Sequence, residues 1–364
     1  MKSNLNLLQN ILAFIVLSGF LWLLLGCKKD ETQSSQSYQE LFWITNKGSQ
    51  MPVLMTGNKE SSSIVLFIHG GPGSSSIDVA GIYQGSPVNL TDNFLMASWD
   101  QRYAGYSINP DPIDWSTVNV DQYAEDCARV TDLLKSRFPG KKIILVGHSW
   151  GGAVLMKFIT NAAYQGNYDG WVLADGMVNG HDLANAWLSY ARRRCNDLIA
   201  GGNTQYIDTL AYLNTVIFDP MVFDKPTYFR VQNIAYSLVI PGEKPIAPED
   251  IKRWSQLEKS IFPDIADQNR KDQNGASPAN LDLATNQVYF INYSSSFVNI
   301  SKPGLVLWGV NDYVVPADVA YPFTAKLGVL GKIFQFKLYP DCWHAPMISN
   351  RDQYINDIKN FIDD

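Results

Sequence analysis

The pentapeptide Gly147-His148-Ser149-Trp150-Gly151 sets a serine between two glycines, each two positions away. The apolar run KIILV precedes it and the apolar stretch AVLMKFIT follows, which places the serine at a strand–turn–helix junction. Such a turn is strained and needs small residues on both sides. It lifts the Ser149 hydroxyl above the strand edge and beside the free N–H groups that begin the helix. A serine hydroxyl is a poor nucleophile until a base takes its proton. His344, in LYPDCWHAP, follows the last apolar strand and can serve as that base. Asp312, in LVLWGVNDYVVP, follows another strand and can orient the imidazole and hold its tautomer. Asp341 is an alternative acid that lies too close to His344 in sequence for the usual geometry, and Asp175, at a strand end, could also point into the site.

A second stretch, VLFIHGGPGSSS, spans residues 65–76. An apolar strand stops abruptly at His69-Gly70-Gly71-Pro72-Gly73. Glycine lets the backbone turn tightly or approach a ligand closely, and proline fixes φ while removing a donor. The result is a loop of defined shape with bare amide N–H groups. It is either a plain turn or a seat for a developing negative charge.

These residues need elements to position them. Buried-type strands read at Ser63–Ile68, Asn93–Trp99, Lys142–Val146, Trp171–Ala174, Leu305–Trp308 and Phe334–Leu338. A hairpin, Leu41–Thr45 with Met51–Met55, precedes them. Val120–Phe138 places Val120, Tyr123, Cys127, Val130 and Leu134 on one helical face, and Pro139-Gly140 stops it. Strands alternating with helices predict a mostly parallel sheet covered on both faces, with ligands at the carboxyl ends of the strands. Between Gly176 and Ile300 the rhythm breaks into a helical insertion, with helices around Leu183–Leu198, Thr204–Ile217 and Pro248–Ile261. Within it Ala266–Asn280 reads as a mobile polar loop. The expected domains are a signal peptide over 1–26, a tether over 27–39, a core over 40–176 and 301–364, and a cap over 177–300.

The order Ser149, Asp312, His344 is that of α/β-hydrolases. Within that fold the chain resembles the proline iminopeptidase family. The matching pieces are His69-Gly70-Gly71-Pro72-Gly73, Asp100-Gln101-Arg102, Gly147-His148-Ser149-Trp150-Gly151-Gly152, Asp312 and His344. The resemblance covers roughly residues 40–176 and 300–364. It implies an α/β-hydrolase fold, a mostly parallel central sheet flanked by helices, with a helical cap inserted before the last strands. It implies Ser149 as nucleophile, His344 as base and Asp312 as orienting acid. The backbone N–H groups of Gly71 and Trp150 would form the oxyanion hole. His69 and His148 would pack beside the loops, and a buried Asp100–Arg102 arrangement would brace them. Tyr103 stands where the family continues with glycine, which implies an altered loop or pocket wall. The family's Trp-rich cap signature ending in glutamate is not recognisable, and the cap acids Asp197, Glu243, Glu249 and Glu258 read as solvated surface charges.

The expected function is acyl-enzyme hydrolysis, an aminopeptidase removing an N-terminal residue such as proline from short peptides. The alternatives are an esterase or amide hydrolase on a small exported substrate, or a non-catalytic binding protein of the same fold. The net charge of −6 and the lack of a basic stripe argue against nucleic acid. No metal-ligand spacing occurs, and neither metal nor cofactor is expected. The N-terminal apolar run Ile11–Leu25 ends in Leu24-Leu25-Gly26-Cys27, which resembles a bacterial lipoprotein signal cleaved before an acylated Cys27. Lys28 and Lys29 then favour the outer membrane of a bacterial envelope. Three further cysteines, Cys127, Cys195 and Cys342, leave at least one thiol unpaired.

Overall fold

The computed structural model describes residues 38–84 and 89–364. The expected signal peptide, Cys27 and all but the end of the tether lie outside the described residues. The strands are β1 (Tyr38–Asn46), β2 (Ser49–Gly57), β3 (Ser63–Ile68), β4 (Leu95–Trp99), β5 (Lys142–His148), β6 (Gly170–Ala174), β7 (Gly304–Gly309) and β8 (Phe334–Tyr339). They form one sheet in the order β1-β2-β4-β3-β5-β6-β7-β8. β1 and β2 make an antiparallel hairpin, and β2 joins β4 antiparallel; every other pairing is parallel.

A parallel sheet covered on both faces needs strands that are apolar throughout. The strand period of two then sorts each run into two layers. Ile64, Leu66 and Ile68 face one core while Val65 and Phe67 face the other. Ile143 and Leu145 part from Ile144 and Val146 in the same way, and Val306 and Trp308 part from Leu305 and Leu307.

The helices are α1 (Ser76–Ala80), α2 (Leu90–Asn93), α3 (Val120–Arg137), α4 (Trp150–Ile159), α5 (Gly180–Ala200), α6 (Ile207–Thr215), α7 (Lys225–Ser237), α8 (Pro248–Ile261), α9 (Ile265–Gly275), α10 (Pro278–Asp282), α11 (Ala320–Val329), α12 (Pro346–Ser349) and α13 (Arg351–Asp363). The apolar faces of α3 and α4 cover the first core, and Tyr354, Ile355, Ile358 and Ile362 of α13 cover the second. Helices α5–α10 lie between β6 and β7. Among the described residues, no helix is long and apolar enough to cross a membrane.

Two features depart from the sequence reading. The stretch expected to be a loop, Ala266–Asn280, is mostly helical, in α9 and α10. Its polarity is structural: the buried Asn274 amide donates to the carbonyls of Gly105 (2.9 Å) and Ser107 (2.8 Å). Asn280 likewise donates to the carbonyl of Tyr103 at 2.8 Å. A polar segment docked by side-chain amides onto a neighbouring loop has no apolar period to reveal it. The other feature is α7, begun by Asp224, whose carboxylate accepts the Thr227 N–H at 3.3 Å. Its buried residues Tyr228, Val231 and Ala235 recur at helical spacing.

Candidate active site

The carboxyl ends of the parallel strands bring the chemistry to one edge of the sheet. β3 ends at Ile68 before the glycine-rich loop, β4 at Trp99 before Asp100-Gln101-Arg102, and β5 at His148 before Ser149. β6 is followed by Asp175, β7 by Asp312 and β8 by His344.

Ser149 has φ 55° and ψ −124°, a left-handed strained conformation between strand and helix. The turn is possible because of its neighbours. A Cβ on Gly151 would lie 2.0 Å from the carbonyl oxygen of Ile68. The His344 ring completes the geometry. Its Nε2 is 2.9 Å from Ser149 Oγ, and its Nδ1 is 2.9 Å from Asp312 Oδ2. The hydrogen bonds assign the tautomer: Nδ1–H donates to Asp312, and Nε2 accepts from the serine hydroxyl. Asp312 is itself fixed, since its Oδ1 accepts the N–H groups of Val314 (2.7 Å) and Val315 (2.9 Å). The sequence-predicted trio is thus assembled as one hydrogen-bonded chain. Asp341 is not the carboxylate on His344 Nδ1.

The glycine-rich loop packs directly on Ser149: a Cβ on Gly70 would stand 2.9 Å from the Cβ of Ser149. Gly71, at φ 115°, turns the loop back and lines the same cavity as Ser149 and His344. Trp150 is the first residue of α4, so its N–H has no intrahelical acceptor and lies at the positive end of the helix.

Gln101 joins the two sides, a role sequence reasoning missed. Its backbone N–H donates to His69 Nε2 (3.1 Å) and its side-chain amide donates to the His69 carbonyl (2.9 Å). Its Oε1 accepts the indole N–H of Trp150 (3.1 Å). The other two residues of that motif are buried but do not pair with each other. Asp100 instead accepts from Ser75 Oγ (2.9 Å) and from the N–H groups of Ser76 (2.7 Å) and Tyr106 (2.9 Å). Arg102 forms a two-pronged ion pair with Asp126 of α3, Nε–Oδ2 2.5 Å and Nη2–Oδ1 2.7 Å. That partner lies 24 residues away, beyond the reach of a local motif. Tyr103 holds φ 54° in the place of the family glycine, and its hydroxyl accepts the Asp114 N–H at 3.2 Å.

The other two histidines near the site stay neutral. Burial pushes His69 down to about 4. Burial, with the nearby His344, pushes His148 down to about 3. Each donates one ring N–H to a carbonyl, His69 to Gly70 and His148 to His344, both at 2.7 Å. Burial and the nearby Asp312 raise Asp175 well above the usual carboxylate range.

The cavity over Ser149 is about 240 Å³, with apolar walls from Phe67, Val79, Ile82, Met347 and Ile348. A second cavity of about 380 Å³ shares Ala345 and Ile348 with it and is walled by Glu243, Lys244, Pro245 and Ile246. A larger one, about 600 Å³ between α3, α4 and the end of the insertion, does not reach the triad. The four insertion acids now separate. Glu243 lines the adjoining cavity. Glu258, contrary to the surface reading, is 9% exposed and bonded to the Tyr106 hydroxyl and Lys271. Asp197 pairs with Arg194 at 3.5 Å, and Glu249 is exposed in the first turn of α8. All three cysteines among the described residues are buried and unpaired.

The model of the serine aminopeptidase family S33 matches residues 59–210. A probable aminopeptidase, YbaC of Bacillus subtilis, is 31% identical over 310 residues, 84% of this chain and 90% of the relative. A proline iminopeptidase of Saccharolobus solfataricus is 26% identical over 306 residues, 84% of this chain and 86% of the relative. The crystal structure of a proline iminopeptidase from Mycobacterium smegmatis aligns over 88% of this chain and 97% of that one. Its TM-score is 0.59 at 13% identity, a likeness of fold.

Proposed function

The chain belongs to the S33 serine aminopeptidase family of α/β-hydrolases, and from that premise we propose that it is a serine hydrolase that releases an N-terminal residue such as proline from short peptides. The observation that carries the reading is the chain of two 2.9 Å hydrogen bonds from Ser149 through His344 to Asp312. Ser149 Oγ attacks the carbonyl carbon while His344 Nε2 takes the hydroxyl proton. Asp312 stabilises the imidazolium. The developing oxyanion sits between the N–H groups of Gly71 and Trp150, and losing one such donor costs roughly 10²–10³ in rate. His344 returns the proton to the leaving amine, and water then releases the acyl group by the reverse sequence.

The cavity of about 240 Å³ supports a small acyl group. It is below the roughly 300–1,000 Å³ of pockets for drug-sized ligands. Its apolar walls suit a proline ring. In this reading Glu243, in the adjoining cavity, accepts the free ammonium. A second reading, an esterase for small acyl groups, draws support from the walls around Ser149, where no described residue is a carboxylate. Hydrolysis of a proline arylamide with a free amine, compared with the same compound amine-blocked, separates the two. Cleavage of the free form alone supports the aminopeptidase. Equal cleavage of both, or of neither beside rapid turnover of a simple ester, supports the esterase.

The envelope location is part of the same proposal: Cys27, outside the described residues, carries the lipid that anchors the enzyme to the membrane. Metabolic labelling with a fatty acid is expected to mark the native chain, and Cys27→Ala is expected to abolish the label.

A further inference from the structure

Asp175 is fully buried, and the triad scheme does not use it. It stands one residue beyond β6 with φ 43°, a left-handed conformation for a non-glycine residue. Its backbone N–H continues the sheet by donating to the Leu307 carbonyl at 3.0 Å. Its Oδ1 accepts the Gly309 N–H at 2.8 Å. Its Oδ2 is buried and has no hydrogen-bond partner as an acceptor. An orphaned buried oxygen in a strained residue calls for a reason. Gly309, which holds Oδ1, accepts the Asp312 N–H through its own carbonyl at 3.3 Å, so the two acids stand at the ends of the paired strands β6 and β7. A carboxylate offers about four lone-pair sites. On Asp312, Val314, Val315 and His344 take three, which leaves one.

Resting on the triad reading above, we propose that Asp175 is a positioning residue: its carboxyl group is protonated and donates a hydrogen bond from Oδ2 to Asp312. One proton shared by the pair leaves a single negative charge, because two carboxylates in contact and out of water do not both ionise. Burial and Asp312 raise the Asp175 carboxyl, in agreement. Among the described residues, the other titratable groups facing Asp175 are Cys342, from the loop after β8, and Tyr354, from α13. Burial pushes the Cys342 thiol up to about 12 and raises the Tyr354 phenol, so both are neutral as well. The donated hydrogen bond aims Asp312 at His344 Nδ1. It also stabilises the negative charge that Asp312 presents to the imidazolium formed during attack.

The test uses infrared spectra and steady-state kinetics of the purified protein, Asp175→Asn and Asp175→Ala. At pH 8 the wild type is expected to show the carbonyl stretch of a protonated carboxylic acid, shifted in heavy water and absent from Asp175→Asn. Asp175→Ala is expected to lose up to roughly 10² in kcat with KM unchanged, the scale of a misplaced catalytic group. The acid limb of its kcat/KM profile is expected to move up by about one pH unit, the equivalent of one hydrogen bond to a charged group. Asp175→Asn keeps the acceptor for Gly309 and a donor for Asp312, and is expected to recover at least tenfold of the lost kcat. No protonated-acid band in the wild type, or an Asn variant as impaired as the Ala variant, overturns the proposal. The infrared band does not depend on turnover. If Ser149→Ala stays active while the band is present, the triad reading fails and the proton assignment stands.

Discussion

Replacing Gln101 by leucine tests whether the glycine-rich loop and the Ser149 turn are held as one unit. The Gln101 side chain is wholly buried and makes two hydrogen bonds, to the His69 carbonyl and from the Trp150 indole. Leucine fills similar space and leaves both partners unsatisfied. Each buried polar group left without a partner costs roughly 1–3 kcal/mol, so the substitution is expected to cost about 2–6 kcal/mol. That is a large part of the roughly 5–15 kcal/mol that holds a typical domain together. Trp150→Phe alone orphans only Gln101 Oε1 and is expected to cost about 1–3 kcal/mol, plus some lost packing. The double variant removes donor and acceptor together. It should therefore cost less than the sum of the singles, with a coupling of about 1–2 kcal/mol. Urea unfolding of the four proteins at neutral pH measures this. In the same variants kcat is expected to fall roughly 10–10²-fold, because the N–H groups of Gly71 and Trp150 lose their fixed separation. Strictly additive stabilities together with an unchanged kcat for Gln101→Leu would refute the reasoning.

Other substitutions probe the scaffold and the charges around the site. Arg102→Met leaves Asp126 as an unpaired charge with no solvent exposure, and is expected to destabilise by about 3–5 kcal/mol in denaturant unfolding. His148→Gln addresses pH dependence. The folded pKa of His148, about 3, lies below the unfolded value of about 6.5, so its contribution is present above pH 6.5 and lost as pH falls towards 3. Relative to wild type, His148→Gln is expected to gain roughly 1–2 kcal/mol of stability between pH 7 and pH 5, since the ring borders the cavity and is partly relieved by water. Lys271→Met removes the cation between Asp78 and Glu258, which ties α9 to α1 and α8. It is expected to make the insertion more open to proteolysis, with cleavage within 248–282 under native conditions.

The sheet was legible in the sequence because parallel strands are apolar on both faces and end in turn residues. β3 and β5–β7 lie where the apolar runs are, within two residues at each end. The turn at Ser149 was legible for a steric reason. Its glycines are demanded by contacts as close as that of Gly151 with the Ile68 carbonyl, and such demands leave a local pattern. His344 and Asp312 could be found because each follows a strand on the same edge. What escaped notice is non-local. Asp126 meets Arg102 from a different helix, and Glu258 is buried by Tyr106 and Lys271 from two other segments. Helices α9 and α10 dock through amides to backbone carbonyls, so their polarity resembles that of a solvated loop. Asp175 stood among the candidates as a residue pointing into the site, but only the structure shows it bound to Gly309 with Oδ2 buried and unpartnered.

The most direct test of the central claim is covalent trapping of the nucleophile. The purified protein is treated with a fluorophosphonate, which reacts with serines activated by a neighbouring base, and the adduct is mapped by peptide mass spectrometry. The expected result is stoichiometric modification of Ser149 with parallel loss of hydrolysis, and none on Ser149→Ala or under saturating substrate. Hydrolysis that survives in Ser149→Ala, or inactivation by modification of another residue, would contradict a reaction carried by Ser149, His344 and Asp312.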